Sequence, residues 1–163
     1  MNYEGDAWAK VSQWAPGCAQ SKFSVWVQRK AATLWERDKK KLVARGTLIP
    51  ETNDNEKRAN YRQAIYKAIV DMMENVCPYT GYPLQWDKIG TWDNEEAKKR
   101  GKDYKKDFAF LPTVDHKNAE PESDFVICSW VANDAKNDLP YDEFVDLCRV
   151  VVTFADRKSP STL

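Results

Sequence analysis

Two short apolar runs separated by a polar turn constrain the fold of this 163-residue chain more than any other feature. The first run, FAFLPTV, ends just before Asp115 and His116, and the second, DFVICSWVA, is followed by Asn133. Runs of this length and composition predict strands, and a short turn between them predicts a hairpin. The residues after Asn133 have a helix-compatible composition. We therefore expect a strand, a turn, a strand and a helix start to bring Asp115, His116 and Asn133 to one point.

These three types of side chain suit metal-assisted hydrolysis of a phosphodiester. A carboxylate and an amide oxygen are hard ligands for Mg²⁺, which keeps most of its waters in proteins. The metal would stabilise charge on the phosphate. A neutral imidazole can deprotonate the attacking water. Asp115 and Asn133 are therefore candidate metal ligands, and His116, the only histidine in the sequence, is a candidate base. The alternative is that His116 is a surface or satisfied core residue, as single histidines after apolar strands commonly are.

The motifs around these residues resemble the HNH (ββα-metal) nucleases over roughly the C-terminal half of the chain. The resemblance implies a ββα-metal catalytic motif in region 77–163. Helical periodicity adds an N-terminal helical region, 1–76, and a C-terminal buttressing helix, so we expect an α+β fold. Both regions would form one compact unit. The matching segments are CPYTGYPL at 77–84, TVDH at 113–116, Asp124, and NDAKNDLPYDEF at 133–144.

The resemblance also implies a role for each matching residue. Asp115 and Asn133 would bind Mg²⁺ or Mn²⁺, His116 would be the general base, and Lys136 would lie near the scissile phosphate. Asp124 occupies the position of the family's middle Asn, which orients the histidine. A carboxylate can take over part of this role, because it accepts a hydrogen bond from an imidazole N–H.

Many HNH proteins hold a structural zinc ion with two Cys-x-x-Cys pairs. The corresponding positions here are Cys77, Thr80, Ser129 and Ala132. One thiolate among four positions cannot hold a structural zinc, so we expect none, and we expect apolar packing and hydrogen bonds in its place. The four cysteines of the chain are widely spaced, which also argues against a disulfide framework.

Helical periodicity dominates the first part of the chain. Residues 1–16 predict a short helix or a wrapped arm, and residues 21–44 predict a long amphipathic helix. Gly46 suits the left-handed position that ends many helices, and Pro50 opposes any continuation.

A second long helix is expected from a cap at Asn53 or Asp54 to about Asn75. Two long helices joined by a short loop should pack as an antiparallel pair. After them, the alternation of apolar residues from Tyr82 to Trp86 predicts a short strand.

The rest of the chain adds a charged segment and a last helix. Residues 87–107 are compatible with a short helix ending near Lys99 or with a mobile loop. A final helix, ending near Asp156, is expected to buttress the site, and the terminal RKSPSTL has no core-forming pattern. The predicted core face of this final helix consists of Phe144, Leu147, Cys148, Val151 and Phe154.

The 25 basic and 25 acidic residues cancel, so only their distribution bears on nucleic acid. The densest basic run lies on the polar face of the first long helix, and a second one precedes the first strand of the hairpin. Such runs are often only solvated surfaces, but phosphate contacts from Lys and Arg supply most non-specific DNA affinity. We expect double-stranded DNA to contact these two runs, through Arg37, Lys39, Lys40, Lys41, Lys105 and Lys106.

No stretch approaches the roughly 18 consecutive apolar residues of a membrane span, and the N-terminus lacks the pattern of a secretory signal. We therefore expect an intracellular, cytoplasmic protein without a membrane partner. The sequence is compatible with a homodimer but does not specify one. The leading function is a metal-dependent DNA endonuclease. The alternatives are an inactive DNA-binding or regulatory protein with the same fold, and a helical interaction module in which the Asp-His pair is incidental.

Overall fold

Helices make up most of the protein, and two short antiparallel strands form its one described sheet, so the fold is α+β. The computed structural model describes residues 2–49, 52–118 and 120–158. Two sequence-based expectations concern residues outside these ranges, namely that Pro50 opposes continuation of the first long helix and that the residues beyond Lys158 lack a core-forming pattern. The elements in chain order are α1 (Tyr3–Trp14), α2 (Gln20–Ala44), α3 (Asp54–Asp71), a 3₁₀ turn (Trp86–Lys88), α4 (Asn94–Arg100), α5 (Lys102–Asp107), β1 (Pro112–His116), β2 (Phe125–Ser129), α6 (Trp130–Lys136) and α7 (Tyr141–Lys158).

The ends of the long helices follow local sequence signals. α2 stops just before Gly46, whose φ of 70° is the left-handed conformation that glycine adopts without strain. Asn53 caps α3, because its side chain accepts a hydrogen bond from the Asn55 N–H at 3.1 Å. α3 ends at Asp71, earlier than predicted, because the next residue is already extended. The Lys10 ammonium donates to the Val70 carbonyl there at 2.7 Å.

Buried aromatic side chains join the N-terminal helices to the rest of the chain. Trp86 lies edge-on to Trp26 of α2, with ring centroids 5.5 Å apart. Tyr61 of α3 lies edge-on to Phe125 of β2 at 5.3 Å. Burying a large apolar side chain is worth about 1.5 to 3 kcal/mol, and a well-oriented aromatic pair adds about 1 kcal/mol. The helical pair and the hairpin therefore share one hydrophobic core.

The predicted hairpin forms and runs directly into a helix. β1 and β2 pair antiparallel, with Thr113 opposite Cys128 and Asp115 opposite Val126. α6 begins at Trp130 without an intervening loop, and the Trp130 N–H donates to the Leu111 carbonyl at 2.9 Å. This hydrogen bond anchors the start of α6 beside the start of β1. The helix then extends back along the hairpin, so the later residues of α6 lie near the end of β1.

The predicted strand from Tyr82 to Trp86 is wrong. A single β-bridge joins Val76 and Pro83, and Trp86 already begins the 3₁₀ turn. Of the three alternating residues, Leu84 and Trp86 are buried but Tyr82 is exposed, and a ladder needs a neighbouring strand of matching length. The charged segment that follows is helical. It contains α4, capped by Asp93, and α5.

α7 forms as predicted, but it does not buttress the site. Residues 141–158 are all described, and none of their side chains is buried. Leu147, Val151 and Phe154 are 50%, 59% and 57% exposed. The start of α7 is tied to the body by Tyr141, whose ring stacks on Tyr79 at 5.5 Å. Amphipathic spacing predicted the helix and its apolar face but could not determine what covers that face.

Among the residues described, none of the helices combines the length and the apolar character that a membrane crossing requires.

Candidate functional site

A polar cavity of about 120 Å³ lies between the end of β1, helix α6 and one side of α2. Four residues singled out from the sequence line it: Asp115 and His116 at the end of β1, and Asn133 and Lys136 on α6. Asn133 and Lys136 share a helix face because they are three residues apart. The hairpin and the helix that follows it without a loop therefore bring these four side chains together.

The His116 ring is held at both nitrogens and is only 4% exposed. Arg37 Nη2 lies 2.7 Å from Nδ1, and Asp38 Oδ2 lies 2.8 Å from Nε2. A guanidinium can only donate, so Nδ1 must accept. The proton of the neutral ring then lies on Nε2, which donates to Asp38. Phe125 packs edge-on against the ring at 5.1 Å and fixes its plane.

Asp38 is a functional candidate that sequence reasoning missed. Its side chain is 1% exposed, and its Oδ2 also accepts a hydrogen bond from the Tyr61 hydroxyl at 2.8 Å. Burial and the Asp38 carboxylate raise the pKa of Tyr61, which keeps the hydroxyl a donor. Asp38 lies four residues after Leu34 and three after Trp35, both of which are buried. A carboxylate on the core-facing side of an amphipathic helix is the signal that could have found it.

Asp115 forms a buried ion pair on the other side of the cavity. Its Oδ2 lies 3.0 Å from Lys136 Nζ and accepts a hydrogen bond from the Tyr79 hydroxyl at 2.8 Å. Lys136 is 1% exposed, so this carboxylate must offset the cost of burying the positive charge of its ammonium. Burial and Asp115 raise the pKa of Tyr79, which therefore remains a hydroxyl donor. The Oδ1 atom accepts no hydrogen bond from the described residues and remains free for another ligand.

The structure corrects the partner expected for His116. Asp124 precedes β2 and lies on the surface, where its 53% exposed side chain pairs with Lys117 at 2.8 Å. The carboxylate that contacts the imidazole is instead Asp38 of α2, which is 78 residues distant in sequence.

The basic run of α2 does not form one face. Successive helical residues point about 100° apart, and Lys39 turns to α3, where its ammonium lies 2.9 Å from Asp54 Oδ1. Arg37 and Lys41 instead line the cavity. Arg45 continues this row at helical spacing and pairs with Glu120, which also lines the cavity, at 2.6 Å.

The remaining predicted DNA contacts lie apart from the cavity. Lys40 is exposed on α2. Lys106 pairs with Asp103 on α5 at 2.9 Å, with both side chains exposed. Lys105 and Lys106 line a separate groove that also contains Trp130.

Two of the positions that correspond to the family's zinc ligands, Cys77 and Ser129, are in contact. Cys77 Sγ accepts a hydrogen bond from the buried Ser129 N–H at 3.3 Å, and Ala132 is also buried. This contact connects the Cys77 turn to the end of β2. The absence of structural zinc stays a prediction.

The donor set of the cavity fits a hard divalent cation. Five carboxylates and three cationic side chains line it, so its balance of charge is negative. Asp115 Oδ1 and the Asn133 amide are the candidate ligands. Among the described residues, no group of three or more His, Cys, Asp or Glu side chains converges on one point. Two oxygen ligands from the protein suit an ion that keeps several waters, as Mg²⁺ does.

No protein-family model, curated protein or solved structure matches this chain.

Proposed function

We propose that the protein is a metal-dependent endonuclease that hydrolyses phosphodiester bonds in DNA, with an HNH-like ββα-metal site. The observation that supports this most is the placement of His116. Asp38 holds Nε2 at 2.8 Å, and the ring lines the same cavity as Asp115 and Asn133. A base oriented by a carboxylate beside hard oxygen ligands is the arrangement that this hydrolysis requires. An intracellular location belongs to the same proposal.

In this mechanism His116 acts as the general base through Nδ1. The ring takes a proton from water, the water oxygen bonds to phosphorus, the bond from phosphorus to the leaving sugar oxygen breaks, and that oxygen takes a proton from solvent. Asp38 stabilises the imidazolium that forms, as a carboxylate does for other catalytic histidines. Its contact with Nε2 also keeps the lone pair on Nδ1, where the proton must arrive.

Arg37 must leave Nδ1 before the ring can accept a proton. Its side chain is 46% exposed, so it can turn without disrupting the core. A phosphate offers a guanidinium two oxygen acceptors in place of one ring nitrogen. In the proposal, arrival of the DNA backbone moves Arg37 onto the phosphate and exposes the base.

Asp115 and Asn133 would hold Mg²⁺ or Mn²⁺, which when bound supplies charge stabilisation at the phosphate. Lys136 compensates Asp115 through Oδ2 and leaves Oδ1 available. Tyr79 fixes the carboxylate from the same side. These contacts orient the ligand oxygen before the ion arrives.

Two contacts favour a second candidate, a DNA-binding or regulatory protein without turnover. Lys136 already neutralises Asp115, and Arg37 already occupies Nδ1 of His116. A site that remained in this state would bind phosphate through Arg37 and Lys41 but would not cut.

A plasmid-nicking assay separates the candidates. Wild type should nick DNA with Mg²⁺ or Mn²⁺ and not with EDTA, and His116→Ala should be slower by about 10² to 10⁴, the usual cost of losing a positioned base. Lys117→Ala, a change at the exposed neighbouring position, is the control and should retain activity.

Equal nicking by His116→Ala and wild type would exclude the proposed base. DNA binding without nicking at any metal concentration would support the second candidate. Absence of both would leave the helical interaction module.

A further inference from the structure

α7 presents an apolar stripe that the described chain does not cover. Leu147, Val150, Val151 and Phe154 recur at the i, i+3, i+4, i+7 spacing of one helix face and are 50%, 66%, 59% and 57% exposed. An isolated helix of this length is marginal in water, because helices in proteins draw most of their stability from packing an apolar face. Monomeric proteins rarely expose such a continuous patch. The stripe therefore requires an apolar partner.

The order of charges along α7 indicates which partner. Asp142 and Glu143 lie in its first turn, and Arg157 and Lys158 lie in its last turn. Two such helices packed antiparallel place each acidic end beside a basic end. Packed parallel, they place like charges together, which is unfavourable. The helix is thus complementary to a second copy of itself in one orientation.

We propose that the protein forms a homodimer in which the two α7 helices pack antiparallel through this stripe. The stripe is symmetric about its centre, so the two-fold axis passes close to Val150 and Val151. Leu147 then packs against the partner's Phe154, and the partner's Leu147 packs against Phe154, as an isologous interface requires. The proposal does not depend on whether the cavity cuts DNA.

The start of α7 adjoins the candidate site in this arrangement. Tyr141 stacks on Tyr79, and the Tyr79 hydroxyl donates to Asp115. The two-fold interface would therefore fix the distance and orientation between the two cavities of the dimer, because each cavity is connected to the start of its own α7.

The first test is the oligomeric state of the full chain by sedimentation equilibrium. Wild type should be a dimer, and Leu147→Glu/Phe154→Glu should raise the dissociation constant by about 100-fold or more, because each dimer loses four apolar side chains from the interface and gains four buried charges. Val25→Glu, at a 61% exposed apolar position on α2, is the matched control and should dimerise like wild type. Far-UV circular dichroism checks that each variant stays folded.

A second test determines orientation by disulfide formation in a Cys148→Ser background. Val151→Cys should cross-link two chains, because its copies meet near the axis within the reach of a disulfide. Glu143→Cys, at a position on the same side of the helix as the stripe, should not, because in the antiparallel dimer its copies lie about 22 Å apart at 1.5 Å per residue.

A monomeric wild type would overturn the proposal, and so would a dimer that survives the double Glu substitution. Efficient cross-linking through Glu143→Cys would show parallel packing and overturn the orientation. Binding of a monomeric wild type to vesicles of phosphatidylcholine and phosphatidylglycerol would assign the stripe to a membrane surface instead.

Discussion

Asp38→Asn tests the assignment of a carboxylate that is distant in sequence from the hairpin. Asp38 Oδ2 lies 2.8 Å from His116 Nε2, and both side chains are at most 5% exposed. Opposite charges about 4 Å apart, at an effective dielectric constant near 20, attract by about 4 kcal/mol. An amide accepts the same hydrogen bond without the charge, so it would forfeit most of this stabilisation of the imidazolium. Loss of 4 kcal/mol slows a reaction by about 10³.

The assay is single-turnover nicking of a supercoiled plasmid at saturating enzyme and Mg²⁺. We expect Asp38→Asn to lower the rate of cleavage by about 10² to 10³ and to leave DNA affinity unchanged, because Asp38 is buried. Asp124→Asn is the matched control. It makes the same chemical change at the position that the family resemblance indicates, where the side chain is exposed, and it should cut at the wild-type rate. Thermal melting establishes that both variants are folded.

Wild-type cleavage by Asp38→Asn would refute the electrostatic argument. A loss in Asp124→Asn as large as that in Asp38→Asn would instead mean that Asp124 contributes to cleavage, as the resemblance implies.

Three further predictions concern stability and DNA binding. Burial lowers the pKa of Lys30 to about 8 in the folded protein. Below that pH the side chain stays charged although it is buried, which lowers the free energy of unfolding. This destabilisation fades as pH rises from about 8 to about 10, where the unfolded chain also loses the proton. Lys30→Met should thus raise the free energy of unfolding at neutral pH. Urea titrations should show this gain in stability shrinking between about pH 8 and about pH 10. A gain that stays constant with pH would contradict the lowered pKa of Lys30. Lys41→Ala/Arg45→Ala should lower the log-log salt slope of DNA binding by up to about 1.8, at about 0.9 per phosphate, whereas Lys39→Ala/Lys40→Ala should change it less, because Lys39 is paired with α3. The melting temperature should be the same with and without EDTA, and elemental analysis should find no stoichiometric zinc, since a structural zinc contributes directly to folding.

The long helices could be predicted because their signals are local. The spacing of apolar residues, the glycine at Gly46 and the cap at Asn53 each act within a few residues, and the structure confirms all three. The strand expected from Tyr82 to Trp86 failed for the opposite reason. Alternation marked Leu84 and Trp86, which are buried, but pairing depends on a partner strand that this segment does not have along its length.

The candidate site was predictable in part. Asp115, His116, Asn133 and Lys136 come from consecutive elements joined by short connections, so their convergence follows from the hairpin and the helix start. Asp38 could not be placed in the same way. Its contact with His116 depends on how α2 packs against the hairpin, which is a long-range property.

The sequence by itself determined the long helices, the hairpin strands and which face of each is apolar, because these properties depend on backbone propensity and on side-chain periodicity within one element. Tertiary structure alone decided how those faces are used. It covered the apolar faces of α2 and α3 and left the face of α7 exposed, and it directed Lys39 away from the cavity and Asp38 towards His116. Each of these outcomes depends on the relative position of elements distant in sequence, which packing of the shared core determines.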